Sequence, residues 1–494
     1  MRARLALALM LLSCPLWVSA APAVVQLADG AVQGQAEADG FPVVHYLGLP
    51  FAAAPVGERR WRAPQPLEPW QGVRDASRFA PACAQTGNFF ASDDESTFGQ
   101  LYGSEDCLYL NVWAPAAASD RPRPVLVFVH GGAGVAGSSA LPAYNGRRLA
   151  YELDALVVTI QYRLGVFGSL HVPALQTGDA LDDAGAFGVL DQIAALRWVQ
   201  RNIGALGGDP AEVTVMGHSA GAVSLWTLMR SPLASGLFAR AVSLSGIPMS
   251  HEYKDVRARS ETFVANLEQA GLRPQDAAAY RALSTTQVLA AGQGLKAMGA
   301  YADGVVLPAD DRRDGPLINA VPTLIGKVEN EASMLLLLRY SRVDRDGLWD
   351  AIQQHDEIRR TDLLSWWGQL RLRVVGRLFN GLVERRIRRA ADALVGQSVP
   401  VYRYVFGWDD FASPWQDIAG ASHGLDVPFV FGNFQGDSAH YFRFAWSPAS
   451  QPQRELIHRQ LSVALGNFIR RSDPDPLGED WPIWDERRQL RRVH

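Results

Sequence analysis

The chain has 494 residues, 48% of them hydrophobic and 20% charged, with a formal net charge of −4. Such a composition describes a globule able to bury a large core and excludes a disordered, fibrous or repeat-built chain. The slightly negative balance gives no electrostatic basis for holding nucleic acid or acidic polymers.

Residues 1–20 read as an export signal. Arg2 and Arg4 supply a basic start, Leu5 to Leu12 an apolar run, and Val18-Ser19-Ala20 a small-residue cleavage site before Ala21. The run is too short for a spanning helix, and no later segment is long enough for one, so a secreted or periplasmic protein is expected. Leu11-Leu12-Ser13-Cys14 offers a rival, a lipobox that would anchor the chain through Cys14; apolar residues continuing to Val18 favour simple cleavage. Signal removal leaves Cys83 and Cys107, expected to pair in an exported chain, with two buried free thiols as the alternative.

Residues 21–494 read as one domain. Val24 to Leu27 and Val32 to Gly34 flank Asp29-Gly30 as a hairpin. A proline-rich surface segment runs from Pro50 to Pro69. Residues 84–104 read as a loop held between the cysteines, with exposed aromatics at Phe89 and Phe90. Then Val125 to Val129, Leu156 to Gln161, Val213 to Met216 and Ala241 to Leu244 are continuous apolar runs, the pattern of strands covered on both faces. Leu190 to Val199 has helical spacing; Pro322 to Ile325 and Val399 to Phe406 are later strands. The alternation predicts an α/β fold with a mostly parallel central sheet and helices on both faces. Mostly helical insertions are expected at 250–320 and 338–396. The second carries Arg371, Arg373, Arg377, Arg385, Arg386, Arg388 and Arg389, read as a solvated helix face, with a membrane-surface or anion-binding patch as the sharper alternative. Leu456 to Phe468 forms an amphipathic helix.

The chemistry centres on Val213 to Ala222, where a buried strand ends in Gly217-His218-Ser219-Ala220-Gly221 before a helix-permissive segment. G-x-S-x-G in that context describes a nucleophile elbow. A serine hydroxyl is a poor nucleophile near neutral pH, so it needs a base oriented by a carboxylate, and donors for the oxyanion. His130-Gly131-Gly132-Ala133-Gly134, at the end of another strand, lets the backbone approach a ligand closely; with the Ala220 amide it makes an oxyanion hole. His130 itself reads as structural. His423, among small residues at 420–424, is the favoured base, with His440 and His458 as competitors. For the acid, Glu329 and Glu331 both follow a strand, and spacing does not choose between them.

Several longer motifs resemble the type B carboxylesterase family, which includes the bacterial p-nitrobenzyl esterases, the mammalian carboxylesterases and the cholinesterases. They are Leu47 to Ala52 with Trp61 to Pro66, Glu105 to Val112, Asn202 to Pro210, and His423 to Gly432. Asn330-Glu331-Ala332-Ser333 is similar to the family's acid motif. The resemblance runs from about residue 24 to 490 and implies an α/β-hydrolase fold. It implies Ser219 as nucleophile, His423 as base and Glu331 as orienting acid, with the Gly132, Ala133 and Ala220 amides as the oxyanion hole. A Cys83–Cys107 disulfide and Arg60–Glu105 and Arg163–Asp191 salt bridges are also implied, together with hydrolysis of small-molecule esters without metal or organic cofactor. Two departures stand out. His218 occupies a position usually held by Glu, and no tryptophan lies between the cysteines to hold a quaternary ammonium. Neutral esters of small to medium size are therefore expected as substrates, in a pocket walled by Phe89, Phe90, Tyr102, Trp366 and Trp367. The rivals are a non-catalytic adhesion or binding member of the fold, and an amidase, lactonase or specialised polyester or toxin esterase with the same machinery.

Overall fold

Strands without a polar face need cover on both sides, and the central sheet supplies it. The computed structural model describes residues 24–494 except 38–39, 93, 250, 297–298, 313–314, 435–440, 476 and 478–479. The export signal, Cys14 and His440 lie outside these residues. The main sheet contains β1 (Gln35–Glu37), β2 (Val43–Pro50), β3 (Tyr109–Pro115), β4 (Arg123–Val129), β5 (Leu156–Ile160), β6 (Gly208–His218), β7 (Arg240–Leu244), β8 (Thr323–Val328), β9 (Val401–Phe406) and β10 (Arg491–Val493). Their spatial order is β10-β9-β8-β7-β6-β4-β5-β3-β2-β1. From β5 through β4 and on to β10 every pairing is parallel, and β1, β2 and β3 add an antiparallel edge.

Alternate residues of β4 feed two cores. Val125, Val127 and Val129 pack with Leu190, Ile193 and Leu196 of α1 (Phe187–Asn202). Leu126 and Phe128 face the opposite way, into the core that holds Ile457, Leu461 and Phe468 of the closing helix Gln451–Arg471. The chain passes from β4 to β5 and then back across β4 to β6. The strand order therefore reverses at β4 and β6, and α/β sheets place their ligands at the carboxyl ends of such strands.

The predicted strands and helices are present, and the 24–34 hairpin forms as Val25–Gln26 against Ala31–Gln33. No strand is expected from the sequence at β2. Gly48, at φ +66°, and Pro50 interrupt its alternation, and the β2–β3 register shifts between Tyr46 and Leu49. The insertions are helical as expected: Tyr253–Gln269, Ala277–Arg281 and Thr285–Gly292 in the first, and Arg345–Gln353, Arg360–Leu363 and the long α2 (Trp366–Gly396) in the second.

Two aromatic expectations need correction. Phe89 is buried, stacked on Tyr441 at 5.2 Å and Trp349 at 5.8 Å, because the 84–104 loop folds inward through a small Gln85–Thr86 and Leu101–Tyr102 ladder. Trp366 and Trp367, expected as pocket walls, start α2 on its solvent side, 65% and 62% exposed.

Cys83 and Cys107 are bonded and buried. Arg60 pairs with Glu105 and Arg163 with Asp191, each at 2.6 Å. The bridge closes a loop of 24 residues, worth about 3 kcal/mol in the chain-entropy account. Replacing both cysteines by serine is expected to lower the melting temperature by several degrees, and non-reduced peptide mapping to join residues 83 and 107. Two freely alkylatable thiols in the untreated protein would contradict the pairing.

Candidate active site

Ser219 sits between the end of β6 and the elbow helix, Ala220–Arg230. Its backbone adopts φ 55°, ψ −120°, a conformation an L-residue holds only when its surroundings enforce it. The enforcement is visible at the two flanking glycines. A Cβ on Gly217 would lie 2.4 Å from the Gly221 carbonyl oxygen, and one on Gly221 would lie 2.1 Å from that of Val129. The Ser219 amide donates to the Leu244 carbonyl at 2.9 Å, tying the turn to the end of β7.

The glycine turn after β4 is seated directly against this elbow. A Cβ on Gly131 would come within 3.0 Å of the Ser219 Cβ. Gly132 has φ +108° and Ala133 φ +55°, and the Val135 and Ala136 amides both close onto the Gly132 carbonyl. Among the described residues no backbone bond uses the Gly132 or Ala133 amide. The Ala220 amide, first in its helix, has no partner one turn earlier. His130 is a structural anchor: it is buried, its Nδ1 donates to the Gly131 carbonyl, and its ring stacks on Tyr162 at 4.5 Å.

His423 reaches Ser219 from a separate loop. Its Nε2 lies 2.8 Å from the Ser219 Oγ, and its Nδ1 lies 2.6 Å from Oε2 of Glu331. Glu331 is 2% exposed, and its Oε1 accepts the Val328 amide at 3.1 Å. The loops of Glu331 and His423 are stitched together: the Asn330 amide donates to Ala421, and the Ser333 hydroxyl donates to Ala419 at 2.7 Å. Glu329, the other acid in reach by spacing, points elsewhere and pairs with Arg492. His458 is buried between the Phe429 carbonyl and Glu152, away from the serine.

Electrostatics follow the geometry. Burial alone would raise the Glu331 carboxyl, but the hydrogen bond and charge of His423 hold it below the ordinary value. Burial alone would lower His423; Glu331 outweighs it and lifts the imidazole above its usual range. Asp426, three residues on, is not among the residues expected at the site from the sequence. It is fully buried, accepts the Tyr404 hydroxyl at 3.4 Å, and is pushed up to about 7 by burial and by Glu331. Its only sequence signal is the apolar Val427-Pro428-Phe429 that follows it. His218 is buried with its ring 5.0 Å from that of His423, and burial, then the His423 charge, hold it well below its ordinary value, hence neutral.

The family model of the Carboxylesterase family matches residues 21–365. The chain belongs to the carboxylesterase family. Among curated relatives, the para-nitrobenzyl esterase of Bacillus subtilis (strain 168) is 31% identical over 94% of this chain and 93% of its own. The fumonisin B1 esterase of Sphingopyxis macrogoltabida is 32% identical over 94% and 84%. A solved PNB esterase superposes with a TM-score of 0.78 at 29% identity, covering 95% of each chain. This carboxylesterase is therefore a carboxylic ester hydrolase with the α/β-hydrolase fold.

Two measurements probe the site. Glu331→Gln is expected to fold yet lose about 10⁴-fold in kcat, since an amide favours the wrong imidazole tautomer, while Glu329→Gln changes little. Reversed effects would move the acid to Glu329. With His423 as the expected base, which acts only when neutral, kcat/KM of the free esterase is expected to fall on acidification, with its half-point above the usual imidazole value. A half-point below that value would contradict the Glu331–His423 pairing.

Proposed function

We propose that this carboxylesterase works through an acyl-enzyme, with Ser219 as nucleophile, His423 as general base and acid, and Glu331 as the orienting carboxylate. The observation that carries the reading is the Glu331–His423–Ser219 relay at 2.6 and 2.8 Å. His423 Nε2 takes the Ser219 proton as Oγ attacks the ester carbonyl. The oxyanion forms against the amides of Gly132, Ala133 and Ala220, each donor contributing about 3–4 kcal/mol to the transition state. His423 returns the proton to the leaving alcohol, then deprotonates the water that releases the acid. Glu331 stays ionised and stabilises the imidazolium.

We also infer that the substrates are neutral esters of small to medium size. Phe89, Phe90 and Tyr441 form an aromatic cluster suited to apolar groups, with Phe90 5.0 Å from Tyr441. The relative named for para-nitrobenzyl ester hydrolysis supports that class. No tryptophan lies between Cys83 and Cys107 to receive a choline headgroup. An exported protein, secreted or periplasmic, fits the N-terminal signal pattern and the disulfide.

p-Nitrophenyl butyrate is expected to be cleaved with at least about tenfold higher kcat/KM than butyrylcholine, with Ser219→Ala as the background. Lengthening the acyl chain by two carbons is expected to raise kcat/KM about tenfold until the pocket is full. Equal or better hydrolysis of the choline ester would contradict the neutral-substrate reading.

A further inference from the structure

The long helix α2 is apolar on both sides. Leu372, Gly376, Val383 and Ile387 bury its inner face, as an insertion packed on the body requires. Its outer face repeats apolar residues at every fourth position: Trp366, Leu370, Val374, Leu378 and Leu382, all exposed, with Leu378 at 71%. Trp367 stands beside Trp366, their rings 4.4 Å apart, and Leu335 on the neighbouring helix Ser333–Tyr340 is exposed as well. From Trp366 to Leu382 the axis rises about 24 Å. A continuous exposed apolar stripe of that length marks a surface that meets something other than water.

The charges around the stripe say what. Residues 366–383 hold Arg371, Arg373 and Arg377 and no acidic residue. All three arginines are exposed and interleave with the apolar positions. The first acid along the helix, Glu384, is engaged by Arg388 and Arg403, and Asp362, just before the helix, accepts the Arg359 amide. A second copy of the chain docked antiparallel on the same face would set these arginines against their own counterparts. An anionic bilayer satisfies both features, since its headgroups take the guanidinium groups while Trp and Leu side chains enter the acyl boundary. Paired tryptophans on such a stripe suit the boundary between headgroups and acyl chains. No helix among the described residues is long and apolar enough to cross a membrane, so the contact lies along the surface.

We propose that the outer face of α2 is a docking surface for an anionic lipid bilayer, with the Trp366–Leu382 stripe inserted at the interface and Arg371, Arg373 and Arg377 on the headgroups. This docking is independent of the hydrolytic mechanism, because none of these residues touches the Ser219 site.

The test is co-sedimentation of the mature chain with vesicles of phosphatidylcholine alone and of phosphatidylcholine mixed equally with phosphatidylglycerol. At least about tenfold tighter binding to the anionic vesicles is expected, weakening as salt rises. Trp366→Ala with Trp367→Ala, and separately Leu378→Asp, are each expected to weaken binding about tenfold. Hydrolysis of a soluble p-nitrophenyl ester without vesicles should stay unchanged in both, which reports folding. Arg371→Glu with Arg377→Glu should erase the lipid preference, and this exposed pair keeps the test open if an apolar variant fails to fold. No vesicle binding, or equal binding to both compositions, would overturn the proposal. So would a dimer in sedimentation velocity that Leu378→Asp dissociates, since a second copy would then cover the face.

Discussion

A carboxylate with 2% exposure is stable as an anion only where charge and donors stand ready, and Glu331 imposes that demand on everything around it. The Val328 amide meets one oxygen and the His423 ring meets the other. Holding the ring there requires the 419–423 loop to lie against the 330–333 loop, which the Asn330 and Ser333 bonds accomplish. Ser333 thus joins the two loops that carry Glu331 and His423. Lys327 adds a smaller attraction from the same strand end. Glu331, its loop and His423 form one unit, and loosening any part would leave a buried charge without its partner.

The second constraint is steric. An L-residue at φ 55°, ψ −120° stores strain that the rest of the fold must contain. Contacts of 2.1–2.4 Å that a Cβ would make at Gly217 and Gly221 show how tightly β4, β6 and the elbow helix converge there. The sheet supplies the rigidity: β4 lies beside β6 and β6 beside β7, all parallel, and their carboxyl ends carry the glycine turn at 131–134, Ser219 and the Leu244 carbonyl that anchors its amide. Loops alone would not hold a 2.8 Å contact between residues 204 positions apart.

Much of this was legible in the residues. Strands β4, β5, β7, β8 and β9 announced themselves because burial on both faces leaves an unbroken apolar run, and the elbow did because its glycines are sterically obligatory. Less local features were hidden. β2 carries a glycine and a proline that erase its alternation, yet it pairs because β3 lies beside it. Phe89 reads as a surface aromatic until Trp349 and Tyr441 are brought over it from far along the chain. The choice between Glu329 and Glu331 is likewise tertiary: Glu331 turns inward to His423, while Glu329 turns outward to Arg492 at the far end of the chain. Asp426 escaped notice because burial, the property that shifts it, belongs to the fold and to no short stretch of sequence.

In the proposed mechanism one serine, activated by that buried pair, carries the acyl group. Titration with a p-nitrophenyl alkylphosphonate tests it directly, since the phosphonyl group stays on the nucleophile. One p-nitrophenolate released per chain is expected, with complete loss of esterase activity in step with that release and the phosphonyl mass on the peptide containing Ser219. A label on any other residue, or esterase activity persisting after Ser219 is fully modified, would contradict it.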